Sequence, residues 1–196
     1  MKMKCGLSVA ERAATLGDLL SRCVATGAGD SAFGLETAVG AACDRLVEAR
    51  AGGRKVYLVG NGGSAGVASH AATDFFNAAK LRALTLHESS MMTCMANDFG
   101  YENAFARMLS QLVEPGDLLI AISSSGKSMN IRNAARQAAE SGGQVITLSG
   151  FAGDNPLRSM GGINFWLDST DYGMVEIGHQ FILHNLSDRL RTALTE

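Results

Sequence analysis

Five short apolar runs constrain this chain more than any other feature. They read KVYLVG (55–60), RALTL (82–86), GDLLIAIS (116–123), QVITLSG (144–150) and INFWLD (163–168). Helical stretches fall at about 64–79, 101–112, 128–142 and 173–193. Strands that alternate with helices lie parallel and are covered on both faces. The pattern therefore predicts an α/β fold with a five-stranded, parallel, doubly wound sheet. Two further helices are expected ahead of the first strand, over 8–26 and 33–50. The first of them opens with Ser8 as N-cap and Glu11 three residues later, the spacing of a capping box. The chain accordingly divides into an N-terminal helical arm, 1–52, suited to packing against another subunit, and one α/β domain, 53–196.

Composition narrows the function. A formal net charge of −2 gives no electrostatic footprint for nucleic acid. Hydrophobic residues make up 46% of the chain and charged residues only 18%, so a full core and some surface hidden in an oligomer are expected. Cys5, Cys23, Cys43 and Cys94 are scattered, without zinc-ribbon spacing, and read as reduced thiols. The opening MKMKCGLSVAER turns polar before any apolar segment develops, and no apolar run approaches the ~18 residues of a membrane span. The expectation is a cytoplasmic protein with neither a membrane nor a nucleic-acid partner.

In doubly wound sheets ligands gather at the carboxyl ends of the strands. Two glycine- and serine-rich loops stand there. The first, GNGGSA (60–65), has the form of a dinucleotide fingerprint, but the acid required at the end of the second strand is offered only by Glu88, which comes late. The second, AISSSGKS (121–128), fails as a nucleotide P-loop because Ala121 stands where the first glycine is needed. A simpler reading covers both. Ser123, Ser124, Ser125 and Ser128 surround a glycine at a strand-to-helix junction, where hydroxyls and free backbone N–H groups suit one phosphate group. Ser64 on the first loop reaches toward the same ligand.

GNGGSA followed by His70, ANDFGYE (96–102), EPGDLLIAISSSGKS (114–128) and a terminal helix with spaced histidines resemble the sugar isomerase (SIS) domain family. Within it the chain is most similar to the phosphoheptose isomerase group. That resemblance implies an aldose–ketose isomerase that converts sedoheptulose 7-phosphate to a heptose 7-phosphate. It implies that Ser64, Ser123, Ser124, Ser125 and Ser128 hold the phosphate, that Asn61, Gly62, Asp98 and Glu176 line the substrate site, and that His70, Asp74 and His184 do the chemistry. Zinc on His70, Asp74, Glu176 and His184, and a homotetramer, are implied by the same resemblance. The family's glutamate is Asp74 here, its glutamine is Glu176, and one of its aspartates is replaced by Gly173.

The residues themselves are consistent with such chemistry. Moving a proton between adjacent carbons needs a base, and an acid or a metal to stabilise the enediolate oxygen. His70 and Asp74, at i and i+4, share one helix face. Glu176 and His184 are eight apart, about 80° round a helix, with His179 on the other side as a group that could steady a neighbour. Two acids and two imidazoles can serve as a four-ligand Zn²⁺ site or as an acid/base set. Rival readings are an isomerase of another phosphosugar and a non-catalytic SIS protein that binds a replication initiator or regulatory partner.

Overall fold

All five expected strands form in the computed structural model, which describes residues 8–27 and 32–193. Cys5 and the first seven residues of the arm lie outside them. Helix α1 (Val9–Ser21) is followed by β1 (Val24–Gly27), β2 (Ala32–Phe33) and α2 (Leu35–Ala51). The α/β alternation then runs β3 (Lys55–Val59), α3 (Gly63–Asn77), β4 (Arg82–Thr85), α4 (Ser89–Phe99), α5 (Ala104–Leu112), β5 (Leu118–Ser123), α6 (Met129–Glu140), β6 (Gln144–Gly150), β7 (Ile163–Leu167) and α7 (Tyr172–Thr192).

The strand order is β2-β1-β7-β6-β5-β3-β4. The five expected strands pair in parallel, but the sheet has seven strands, not five. β1 joins antiparallel to β7, placing Ala25 opposite Phe165, and β2 closes the edge. The segment expected as one helix over 8–26 thus ends at Ser21 and turns into sheet. The run VATG is too short to break the helical apolar pattern ahead of it, yet Ala25 is fully buried and Thr26 nearly so.

Strand alternation assigns the two faces. Val56 and Leu58 of β3 join one core with Ala38, Ala42 and Leu46 of α2, Ala68 and Phe75 of α3, and Ile182 and Leu186 of α7. Tyr57 and Val59 join the other with Phe105 and Leu109 of α5 and Ile131 and Ala134 of α6. β5, in the middle of the five parallel strands, is buried along its whole length, as a parallel strand covered on both sides must be. Ala121 lies inside it, paired with Val59 and fully buried, so it cannot open a phosphate loop. Buried Asp117 accepts from the backbone N–H of Lys55 (2.8 Å) and Glu114 (3.0 Å), which ties together the starts of β3 and β5.

Helix α4 has no fully buried residue and rests on the core only through Met92 and Met95, too short an apolar pattern to announce it. Its start is made by Glu88, whose carboxylate accepts from the N–H groups of Ser90 and Met91 at 3.0 and 2.7 Å. Those donors hold the Glu88 carboxyl below its usual range. The acid considered for a nucleotide ribose is therefore a helix cap. Among the described residues, no helix is long and apolar enough to cross a membrane.

Candidate functional site

β3 and β5 run parallel, but between them the order in which successive strands are added reverses, and both loops of interest leave the strand ends there. The backbone after β3 bends at Gly62 with φ 53° and ψ −121°, a conformation that side chains exclude. Gly63 then begins α3 so close to the Glu176 carboxylate that a Cβ would collide with it. After β5, the N–H of Gly126 donates to the Ser123 carbonyl (3.0 Å) and Gly126 takes φ 63°, closing the SSSG turn.

The two loops enclose a cavity of about 140 Å³ lined by Asn61, Ser64, Ser123, Ser124, Ser125, Ser128, Tyr172 and Glu176. Ser64, Ser128 and Tyr172 stand at the starts of α3, α6 and α7. The N-termini of α3 and α6 have no side-chain cap and offer free N–H groups, whereas that of α7 is capped by Asp171, which accepts from the Met174 N–H (3.1 Å). The volume suits a phosphate group rather than a whole sugar. Ser123 Oγ donates to Ser128 Oγ (3.3 Å), and Ser125 Oγ accepts from the N–H of Lys127 (3.3 Å), while the Lys127 side chain points to solvent at the rim. Ser124 is 4% exposed, and its hydroxyl is buried without a partner. An unpaired buried hydroxyl costs stability, and a ligand oxygen is the partner that this pocket is shaped to supply. A roomier cavity of about 240 Å³ between β4, α4 and α5 is lined by Met91, Met95 and Met108; it is apolar and holds none of the serines or histidines.

A second group lies farther along the same helices. Gly63, His70 and Asp74 fall within about 40° of one another round α3 and make one stripe facing α7. Asp74 Oδ2 sits 3.3 Å from His70 Nε2 and 3.1 Å from His184 Nδ1, and the two rings meet edge to face at 4.8 Å. The ligand atoms of His70, Asp74 and His184 lie within 4.8 Å of one another, close enough to hold a metal ion. Although both imidazoles are at ion-pair distance, neither makes a well-directed hydrogen bond to Asp74 Oδ2, which is buried without a donor. An orphaned carboxylate oxygen between two imidazoles is a donor set that fits a divalent cation, with room for a further ligand. Glu176 is not part of this group. Eight residues of helix separate it from His184 by about 12 Å, so sharing a face does not bring them together; it stands instead in the serine pocket against Gly63.

Asp98 is exposed on α4, bonded to Cys94 and Asn97, and does not line the serine pocket. His179 is fully buried on α7, where its Nε2 donates to the Ser149 carbonyl (3.1 Å), away from the other histidines. Burial pushes its pKa down to about 4 from 6.5. The unfolded chain takes up this proton near pH 6.5 and the folded chain only near 4, so stability falls as pH drops through that interval. The slope is roughly 1.4 kcal/mol per pH unit, about 3 kcal/mol in all. We expect urea unfolding midpoints to drop between pH 6.5 and 4, and His179→Phe to flatten that drop. Parallel curves for the two proteins would show that His179 is not responsible.

Four residues at the site had not been singled out. Tyr101 donates to Asn61 Oδ1 (2.8 Å), and Asn61 and Asn130 exchange two amide hydrogen bonds (3.0 and 2.8 Å). His87, its pKa lowered by burial, accepts from the N–H of Gly60 (3.3 Å). Tyr172 lines the pocket, its ring set edge to face with that of Phe151. Tyr101 lies inside the ANDFGYE motif, but nothing local marks its hydroxyl for Asn61.

The architecture and the site define a class: a doubly wound α/β domain with a serine-lined pocket at its switch point and a His–Asp–His cluster two turns beyond. The chain belongs to the SIS domain family, whose pattern matches residues 30–150. A phosphoheptose isomerase of Mycobacterium bovis is 37% identical over 157 residues, which covers 77% of this chain and 80% of the relative. One from Pelobacter propionicus is 35% identical over 156 residues, covering 76% of this chain and 82% of the relative. The solved structure of a phosphoheptose isomerase from Francisella tularensis superposes with a TM-score of 0.81 at 26% identity, over 93% of this chain and 94% of that one.

Proposed function

We propose that this chain is a phosphosugar isomerase that converts sedoheptulose 7-phosphate to a heptose 7-phosphate. The observation that carries the reading is the pairing of the serine pocket, with its unpartnered Ser124 hydroxyl, and the His70–Asp74–His184 cluster on the helices that leave that pocket. From Ser64 to His70 is about 9 Å of helix rise. A sugar whose reacting carbons are several bonds from its phosphate spans such a gap. The names of the most similar relatives support the same substrate.

The serines and the uncapped N-termini of α3 and α6 bind the phosphate and fix the sugar's direction. Near the cluster, Asp74 or one of the imidazoles takes the proton from the hydroxyl-bearing carbon beside the carbonyl and delivers a proton to the former carbonyl carbon, while the hydroxyl proton passes to the old carbonyl oxygen. Zinc held by His70, Asp74 and His184 would supply Lewis-acid stabilisation of the enediolate oxygen. The exposed Phe76, Ile177 and Phe181 support burial against further copies of the chain, and a homotetramer is the assembly we infer.

The test is incubation with sedoheptulose 7-phosphate before chelation, after chelation, and after zinc is restored. We expect aldose to form, the rate to fall on chelation, and zinc to bring it back. A rate indifferent to chelator would remove zinc from the account, and no aldose under any condition would remove the isomerase.

A further inference from the structure

The hydrogen bonds around Asn61 form a chain in which every orientation is determined by the one before it. Its first link is backbone: the Ile131 N–H donates to Asn130 Oδ1 (3.0 Å), so the Asn130 amide cannot be turned over without setting its NH₂ against that N–H. Asn130 is 3% exposed and cannot trade this bond for water. With Asn130 so held, its Oδ1 receives Asn61 Nδ2 (3.0 Å) and its Nδ2 donates to Asn61 Oδ1 (2.8 Å), which orients the Asn61 amide in turn. Tyr101 faces that same Oδ1 at 2.8 Å and must be the donor. Both lone-pair positions of Asn61 Oδ1 are then taken, one Nδ2 proton is used, and one remains. Asn61 lines the serine pocket, so what it can offer a ligand there is a hydrogen-bond donor and nothing else.

We propose that Tyr101 and Asn130 are positioning residues that hold Asn61 as a donor to an oxygen of the bound phosphate group. The proposal rests on the phosphate reading of the serine pocket. Tyr101 acts through Asn61 and does not itself touch the ligand. Without its hydroxyl the amide keeps its orientation through Asn130 but loses one of the bonds that hold it still, and a donor that must be ordered on binding binds more weakly.

The experiment is a double-mutant cycle with inorganic phosphate as the probe, followed by NMR titration, which reads millimolar affinities. Tyr101 is about half exposed, so Tyr101→Phe is expected to fold normally. We expect it to weaken phosphate binding about fivefold in the otherwise unchanged chain, and by less than about twofold in the Asn61→Ala background. With sedoheptulose 7-phosphate as substrate, the same variant should raise KM by a similar factor and leave kcat within about twofold. An equal loss in both backgrounds, or no loss in either, would overturn the positioning role. Failure of the unaltered chain to bind phosphate would overturn the anion pocket together with the relay. Phosphate binding that Tyr101→Phe leaves unchanged would overturn the relay alone.

Discussion

Asp74→Asn is expected to lower kcat by about a hundredfold to ten-thousandfold while the protein stays folded. The carboxylate is the centre of its group: its Oδ2 is 3.3 Å from one imidazole and 3.1 Å from the other. Asparagine keeps the size of the side chain and one oxygen but removes the negative charge, so it can neither take a proton nor hold a cation between the rings. Because His70 and His184 stand on α3 and α7, whose buried faces form the core independently of this group, the melting temperature should stay close to that of the unaltered protein. Turnover near the original rate would show that proton transfer runs through another residue.

Ser124→Ala should move activity and stability in opposite directions. The hydroxyl is buried without a partner, and such a group costs about 1–3 kcal/mol in the ligand-free protein. Alanine removes that cost and leaves the backbone turn intact. We therefore expect the melting temperature to hold or rise, while KM for the phosphorylated sugar rises about tenfold or more as a donor to the phosphate is lost. A lower melting temperature with unchanged KM would mean that Ser124 serves the fold and not the ligand.

Much of this site was legible in the sequence because its parts are local. Serines and glycines at the end of an apolar run mark an anion pocket, and residues at i and i+4 on one helix meet wherever that helix goes. The limits were three-dimensional. Glu176 and His184 share a face, but height along the helix parts them and leaves Glu176 at the other end of the same stripe. The bond between Tyr101 and Asn61 crosses 40 residues, and the amide exchange with Asn130 crosses 69, so no spacing rule reaches them. In the fold, the five parallel strands declared themselves through their apolar runs. β1 did not, since four residues beside a helix carry too little pattern, and α4 did not, since only Met92 and Met95 pack against the core and neither is fully buried.

The central claim is that the pocket and the cluster together move a proton between neighbouring carbons of a phosphorylated ketose. It is tested most directly by incubating the zinc-loaded protein with sedoheptulose 7-phosphate in D₂O and following the sugar by NMR. The account requires an aldose phosphate to accumulate to equilibrium, and any deuterium it gains by exchange of the proton held on the base must sit at the carbon that receives the proton. An unchanged ketose spectrum, from folded protein that still binds phosphate, would contradict it.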